Sequence, residues 1–463
     1  MQRAIIRRLA PVPRVERLRR GTLDAHVFTG FIVAFTAALL PFTCCAQLVP
    51  EQTSDARWQA TYVYQNKASF RAPYSGANSL RPEHERSYSF TTTGYLGLRL
   101  WRGGELYVNP EASQGVPLSG LTGLGGFTNG ELARTAGPHL IIYRARLFMR
   151  QTWGFGGGTD AIESDANQLA GTVDKRRLVL TAGNISITDI FDDNVYNHDA
   201  RTQFMNWALV TYGAYDFAAD ARGYTWGAAL EYFYDDWAVR AGRFMQPREP
   251  NQIKLDTRIF RHYGDQVEVE RAHTMGGQAG KLRVLAFRNF AKMARYEDAL
   301  ALADQTGSVP DLNQVRFTEH SKIGVGMNLE QALTNDIGLF ARAMWADGKT
   351  ETYAYTEIDR SVHAGLRFKG TPWKRERDSA GVAYVRNGLS GPHRDYLARG
   401  GLGFFIGDGR LNYREESIAE VFYSLGALKH LWITLDYQHI RNPAYNADRG
   451  PVNVGSVRLH AEF

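Results

Sequence analysis

Arg144, Arg146 and Arg150 fall in one short run, where they alternate with Tyr143, Ala145, Leu147 and Met149. A helix would spread these guanidiniums around its circumference; an extended strand stacks them, with Phe148, on one side opposite an apolar row. A second run, GGELYVNPE, sets Glu105, Tyr107, Asn109 and Glu111 against Leu106 and Val108 by the same parity. Placed across an aqueous space, carboxylates facing guanidiniums create a transverse field and a supply of donors and acceptors. The plain alternative for both runs is a solvated polar wall. The segment from Asn184 to Arg222 carries Asp189, Asp192, Asp193, Asn194, Asp199, Arg201 and Trp207, and structured connections of that length are usually functional. Its aspartates are expected to pair with wall arginines, and Trp207 and Tyr212 to offer flat faces for stacking.

The sequence contains no H-E-x-x-H, G-x-S-x-G or G-x-x-x-x-G-K-[ST] signature, so no catalytic residue is assigned. Gly348-Lys349-Thr350 lacks the upstream glycine of a phosphate loop, and the glycines from Gly154 to Gly158 lack its lysine. Asp192-x-Asn194-x-Tyr196 lacks the next oxygen ligand and the glycine of a calcium loop. No two histidines stand at metal-ligand spacing, and neither a metal nor a cofactor is expected. An enzyme with Ser and His on facing strands would leave no local motif, so it stays open as an alternative beside an adhesive barrel.

The 463 residues carry a formal charge of +6, but seven arginines against Glu16 and Asp24 put +5 of it in the first 46 residues. The rest is nearly neutral and lacks the basic density that a nucleic-acid partner requires. In the leader the arginines precede an apolar run from Val27 to Phe42 and then Thr43-Cys44-Cys45-Ala46. That is the order of an export signal: basic region, hydrophobic region, small-residue cleavage site. Residues 1–46 are read as a cleaved signal peptide and 47–463 as the mature domain. A retained anchor would be short for the roughly 20 residues that span a bilayer, and lipid attachment at Cys44 is disfavoured by Pro41 and Thr43. Both cysteines lie in the leader, which leaves the mature chain none to pair.

The candidate side chains need elements that hold them at fixed parity. After Ala46 no stretch is long and apolar enough for a spanning helix, and the mean hydropathy is −0.35. The chain reads instead as segments of about ten residues with alternating polarity. From Ser87 to Leu100, Tyr88, Phe90, Thr92, Leu96, Leu98 and Leu100 share one face, with Ser89, Thr91, Thr93 and Arg99 on the other. From Asp336 to Trp345, Ile337, Leu339, Ala341, Ala343 and Trp345 oppose Gly338, Phe340, Arg342 and Met344. The fold expected is all-β: a transmembrane antiparallel β-barrel of about sixteen strands. Its strands start near Arg57, Arg86, Gly104, Ile141, Lys175, Gly223, Asp236, Gly264, Gly280, Thr318, Asn335, Arg360, Asp378, Tyr413, His430 and Val454. Short joins alternate with long ones, except that Gly154 to Asp174 is long where a turn is due. It is expected to form a plug, helix or cap, unless the count is off by one hairpin there. Val457, Leu459, Ala461 and Phe463 alternate with Arg458, His460 and Glu462, the form of closing strand that the barrel assembly machinery reads in bacterial outer-membrane proteins. Trp58, Trp226, Trp237 and Trp432 fit an interfacial girdle.

The stretches IFDDNVYNHDARTQFMNWAL, DARGYTWGAALEYFYDDWAVRAGRFMQP and DYQHIRNPAYNADRGPVNVGSVRLHAEF look like the carbohydrate-selective porins of the OprB type. GGELYVNPE, YRARLFMRQTWG and NQLAG resemble the same family. The resemblance implies an outer-membrane barrel that admits glucose and similar small carbohydrates by facilitated diffusion, with a constriction made by inward-folded loops. A lumen that passes sugars needs hydrogen-bonding groups for hydroxyls and apolar faces for C–H surface, all weak enough to release the solute. Arg144, Arg146, Arg150, Glu105, Tyr107, Asn109, Glu111, Asp192, Asp193 and Trp207 are the candidate constriction residues. The expected partners are small carbohydrates, outer-membrane lipids and, through Phe463, the assembly machinery; a homotrimer is one assembly open to it. A general, non-selective porin is the alternative.

Overall fold

The computed structural model describes residues 50–132 and 134–463; the export signal read over 1–46 lies outside them. Among these residues sixteen strands close into one antiparallel barrel. The wall begins with β1 (Ser54–Lys67), β2 (Glu85–Trp101), β3 (Gly104–Val116) and β4 (Ile141–Gly154). A separate two-stranded hairpin follows, β5 (Thr159–Ile162) and β6 (Gly171–Asp174). The wall resumes with β7 (Arg177–Ile185), β8 (Thr225–Tyr234), β9 (Trp237–Met245), β10 (Tyr263–Met275), β11 (Gln278–Lys292), β12 (Glu319–Ala332) and β13 (Ile337–Ala346). It ends with β14 (Arg360–Lys369), β15 (Ser379–Gly388), β16 (Glu416–Leu428), β17 (Leu431–Arg441) and β18 (Val452–Glu462). Every expected starting point lies within three residues of a wall strand's first residue.

Each strand pairs with its chain neighbour, β4 pairs with β7 past the hairpin, and β1 pairs with β18 to seal the seam. Phe463 finishes that seam: its N–H and carbonyl bond the Trp58 backbone at 2.8 and 2.9 Å, and its ring stacks on Trp58 at 5.4 Å. Alternation sets what each face meets. Val239, Met327 and Leu435 stand exposed on the outer surface beside buried Arg240, Asn328 and Asp436, because lipid accepts the first set and rejects the second. Trp58, Trp226 and Trp237 are exposed as well.

One end of the barrel carries tight joins, such as Gly276-Gly277, where φ of 60° and 77° makes glycine the fitting residue for the turn. The other end carries the long connections and, by the usual disposition of such barrels, faces outward. Two of these, residues 117–140 and 186–224, fold into the lumen and supply much of its core. Phe204 packs against Phe340 and Phe422 at 5.3 and 4.9 Å. Tyr196 lies over Gly338, where a Cβ would stand 2.0 Å from the ring, so the wall strand needs glycine there.

The irregular connection after Gly154 is the β5–β6 hairpin, and the barrel count needs no correction for it. Its tip bends back into the short-turn mouth. Leu169 is 3% exposed and its N–H meets the Tyr107 hydroxyl at 3.2 Å, while Arg99 donates to the Ala170 carbonyl at 3.2 Å.

Candidate functional site

β3 and β4 are neighbours in the wall, and their ladder fixes most of the candidate residues. Glu105 pairs with Arg150, Tyr107 with Phe148, Asn109 with Arg146 and Glu111 with Tyr143. The acidic row expected across the channel from the arginines is therefore beside them, because consecutive antiparallel strands pair directly.

Arg144 leaves this row. The ladder slips between Asn109 and Pro110, so that Pro110 pairs with Arg144 and Ala145 is the extra residue of a bulge. Proline has no N–H for the ladder, which is the condition that favours a bulge. Before Ala145 the parity reverses. Tyr143 turns inward and its hydroxyl donates to Glu111, while Arg144 turns outward with its guanidinium 5.2 Å from the Trp226 ring centroid. The expectation that Arg144 shares the lumen face of Arg146 and Arg150 is corrected on this ground.

The inward residues are all engaged. Arg146 donates through Nε and Nη2 to the two Asp189 oxygens, both at 2.7 Å, a bidentate pair that pins the 186–224 loop to the wall. Glu111 accepts from Thr93 at 2.6 Å and from Arg201 of that loop at 3.0 Å, and Arg201 also binds Glu131 of the 117–140 loop at 2.7 Å. Asp192 accepts from Arg342 of β13 at 2.8 Å and from Thr211 at 2.6 Å. Asp193 faces Arg283 of β11 at 3.8 Å. Burial works to raise the Asp193 carboxyl, and the Arg283 guanidinium with His198 and Lys281 more than offsets it, so the group lies below the ordinary aspartate range. On the hairpin, Asn167 bridges two candidates: its side-chain oxygen accepts from Asn109 at 2.8 Å and its carbonyl from Arg150 at 3.0 Å. Glu105 accepts from Arg99 at 3.1 Å and from the Tyr107 hydroxyl at 2.7 Å.

Between the loop and the hairpin lies a cavity of about 220 Å³. Of the predicted residues, Glu105, Arg150 and Asp193 line it. Tyr107, Asn109, Glu111, Arg146 and Asp192 stand outside its lining and fix the loop, the hairpin or the ladder. Six basic side chains and six carboxylates line the space, with His198 besides. Sequence parity did not single out several of them. Arg240 binds Glu231, Glu268 and Glu270 at 2.9 to 3.1 Å, and Lys281 approaches Glu270 at 3.5 Å. Arg240 sits between Val239 and Ala241 in a period-two run, and that was its available signal.

Trp207 opens a single helical turn, α1 (Trp207–Val210), which Asn206 caps by accepting from the Ala208 N–H at 2.9 Å. The ring is 3% exposed, stacked on Tyr355 at 5.4 Å and edged by Phe127 and Phe405. Tyr212 is 1% exposed. Neither ring lines the 220 Å³ cavity, so the stacking faces expected of them are replaced by core packing.

A closed sixteen-stranded barrel with an apolar outer face, a polar lining and inward-folded loops is a porin of the bacterial outer membrane. The profile of carbohydrate-selective porins, OprB family, matches residues 77–463, and the chain belongs to that family. No curated protein matches the chain significantly. The fold is shared with the high-pH structure of Pseudomonas putida OprB: TM-score 0.68 and 16% identity, covering 89% of this chain and 94% of that one. The low-pH structure of Pseudomonas putida OprB aligns with TM-score 0.47 and 12% identity over 89% and 93% of the two chains. Pseudomonas aeruginosa OccK5 (OpdH) gives 0.44 and 10% over 89% and 98%.

Proposed function

We propose that this porin passes small neutral carbohydrates, glucose among them, by facilitated diffusion through the cavity between the loop and the hairpin. The observation that carries the reading is the charge balance of the lining, six cations against six carboxylates. A neutral, hydroxyl-rich solute exchanges hydrogen bonds with such a wall, whereas an ion has to compete with pairs already formed. Glu105, Arg150 and Asp193 contact the solute; Arg146, Asn109, Tyr107, Glu111 and Asp192 hold the surfaces that present them. The leader over 1–46 is removed on export, and the assembly machinery receives β18 through Phe463. Liposome swelling tests the selectivity. Glucose is expected to enter faster than a zwitterionic amino acid of similar size, and rates that follow size alone would establish a general porin instead.

A further inference from the structure

The outer end of β4 lacks a strand on one side. The β4–β7 ladder stops at Leu147 and Asn184, and β7 itself ends at Ile185. Above that point the wall opens into a notch of about 530 Å³, bounded by Arg144 and Asn184 on one side, Trp226 and Met245 on the other, and Arg222 and Ile253 from the loops above. Asn184 donates to the Ala145 carbonyl at 2.8 Å, which satisfies one edge group at the bulge.

The charges in this notch differ from those of the lumen. Inside, Arg146, Arg201, Arg240 and Arg283 are ion-paired, and even the outward Arg243 has Asp265 at 2.7 Å. Arg144 and Arg222 instead lie over aromatic rings, 5.2 Å from Trp226 and 4.5 Å from Tyr143, and no salt bridge to either is found among the described residues. The Arg222 Nε is buried without a hydrogen-bond partner. The one acid in the lining, Asp220, already accepts from the N–H groups of Arg222 and Tyr224 at 2.8 and 3.2 Å. Ile142 is 77% exposed and Ile253 46%, so apolar surface flanks the two guanidiniums.

We propose that this notch binds a phosphorylated, multiply acylated lipid of the outer leaflet. The phosphate lies between Arg144 and Arg222, where forked donors match its oxygens, and acyl chain runs down past Trp226 over the outward Met149 and Leu230, both more than 40% exposed. The position fits: the notch is on the outward surface, at the end of the wall that carries the long loops, where headgroups of the outer leaflet stand. Arg144 points away from the lumen, and Arg222 reaches the notch from the loop above it.

The test is native mass spectrometry of the purified barrel in non-ionic detergent, offered diphosphoryl lipid A, its dephosphorylated counterpart or phosphatidylcholine. The wild-type protein should retain the diphosphoryl lipid selectively. The double substitution Arg144→Ala, Arg222→Ala should weaken that binding by about tenfold or more, the size expected for lost charge-assisted hydrogen bonds. Arg144→Lys should weaken it less, and the bilayer conductance of Arg144→Ala should stay as in wild type. Equal retention of the dephosphorylated lipid or of phosphatidylcholine would overturn the proposal, as would undiminished binding by the double variant. Displacement of the lipid by an equimolar amount of inorganic phosphate would mark a free-anion site. A fall in subunit number in the double variant would place a second copy of the chain in the notch.

Discussion

Arg146 spends both faces of its fork on Asp189 and is 2% exposed, so its removal leaves the half-buried Asp189 carboxylate with the Ser186 N–H at 3.0 Å as its remaining donor. Breaking a fully buried pair from one side costs about 3 to 5 kcal/mol, and less where the surviving charge meets water as Asp189 does; the loop bears the loss, because the β3–β4 ladder uses backbone groups. Arg146→Ala should therefore fold as a barrel, release the 186–224 loop to faster amide exchange and raise single-channel conductance. Arg144→Ala should change neither, since its side chain lies on the outer surface; a conductance change from Arg144→Ala, or none from Arg146→Ala, would reverse the parity assigned here. Asp193 ties the same loop to β11 through Arg283 at 3.8 Å. Its carboxyl is held below the ordinary range chiefly against burial by Arg283, so its contribution is complete above the unfolded value of about 3.9 and is lost only as pH falls below that. The Asp193–Arg283 contact should thus be equally formed at about pH 7 and pH 5 and weaken only below about pH 4, as read from the carboxyl NMR shift of Asp193. Loss already at pH 5 would contradict the Asp193–Arg283 contact.

The β5–β6 hairpin can be removed without touching the wall, because β4 and β7 pair through residues 147–154 and 177–184. Replacing residues 157–173 by a short Gly-Ser turn should leave folded yield unchanged and raise conductance, since Asn167, Leu169 and Ala170 withdraw from the short-turn mouth. Unchanged conductance would show that the hairpin does not narrow the path. Sixteen strands were legible in the sequence because lipid outside and water inside impose period two on each of them, and Arg342 opposite Leu339 and Ala341 followed from that rule. The bulge was not, since Arg144 and Arg146 are two residues apart and alternation alone reads them as one face. Pro110, in the middle of NPE, was the overlooked sign that the ladder must slip there. Partnerships across the lumen were illegible for another reason. Asp192 meets Arg342 only because the barrel closes and the loop turns inward, and no local spacing encodes either event.

At the scale of the whole molecule, the wall is a closed scaffold and the two inward loops occupy much of its lumen. Their buried ion pairs and aromatic packing fill much of the lumen and leave, beside the hairpin, a space of about 220 Å³ with balanced charge. Membership of the carbohydrate-selective porins follows from the match over residues 77–463, while the identity of the solute rests on that lining. The most direct test is the current through one channel in a planar bilayer as glucose is added. A sugar in the constriction displaces water and ions, so the open-channel current should fall reversibly and in proportion to occupancy, with the block weakened in Arg150→Ala. A wild-type channel whose current is the same with glucose and with every other small sugar would contradict the account.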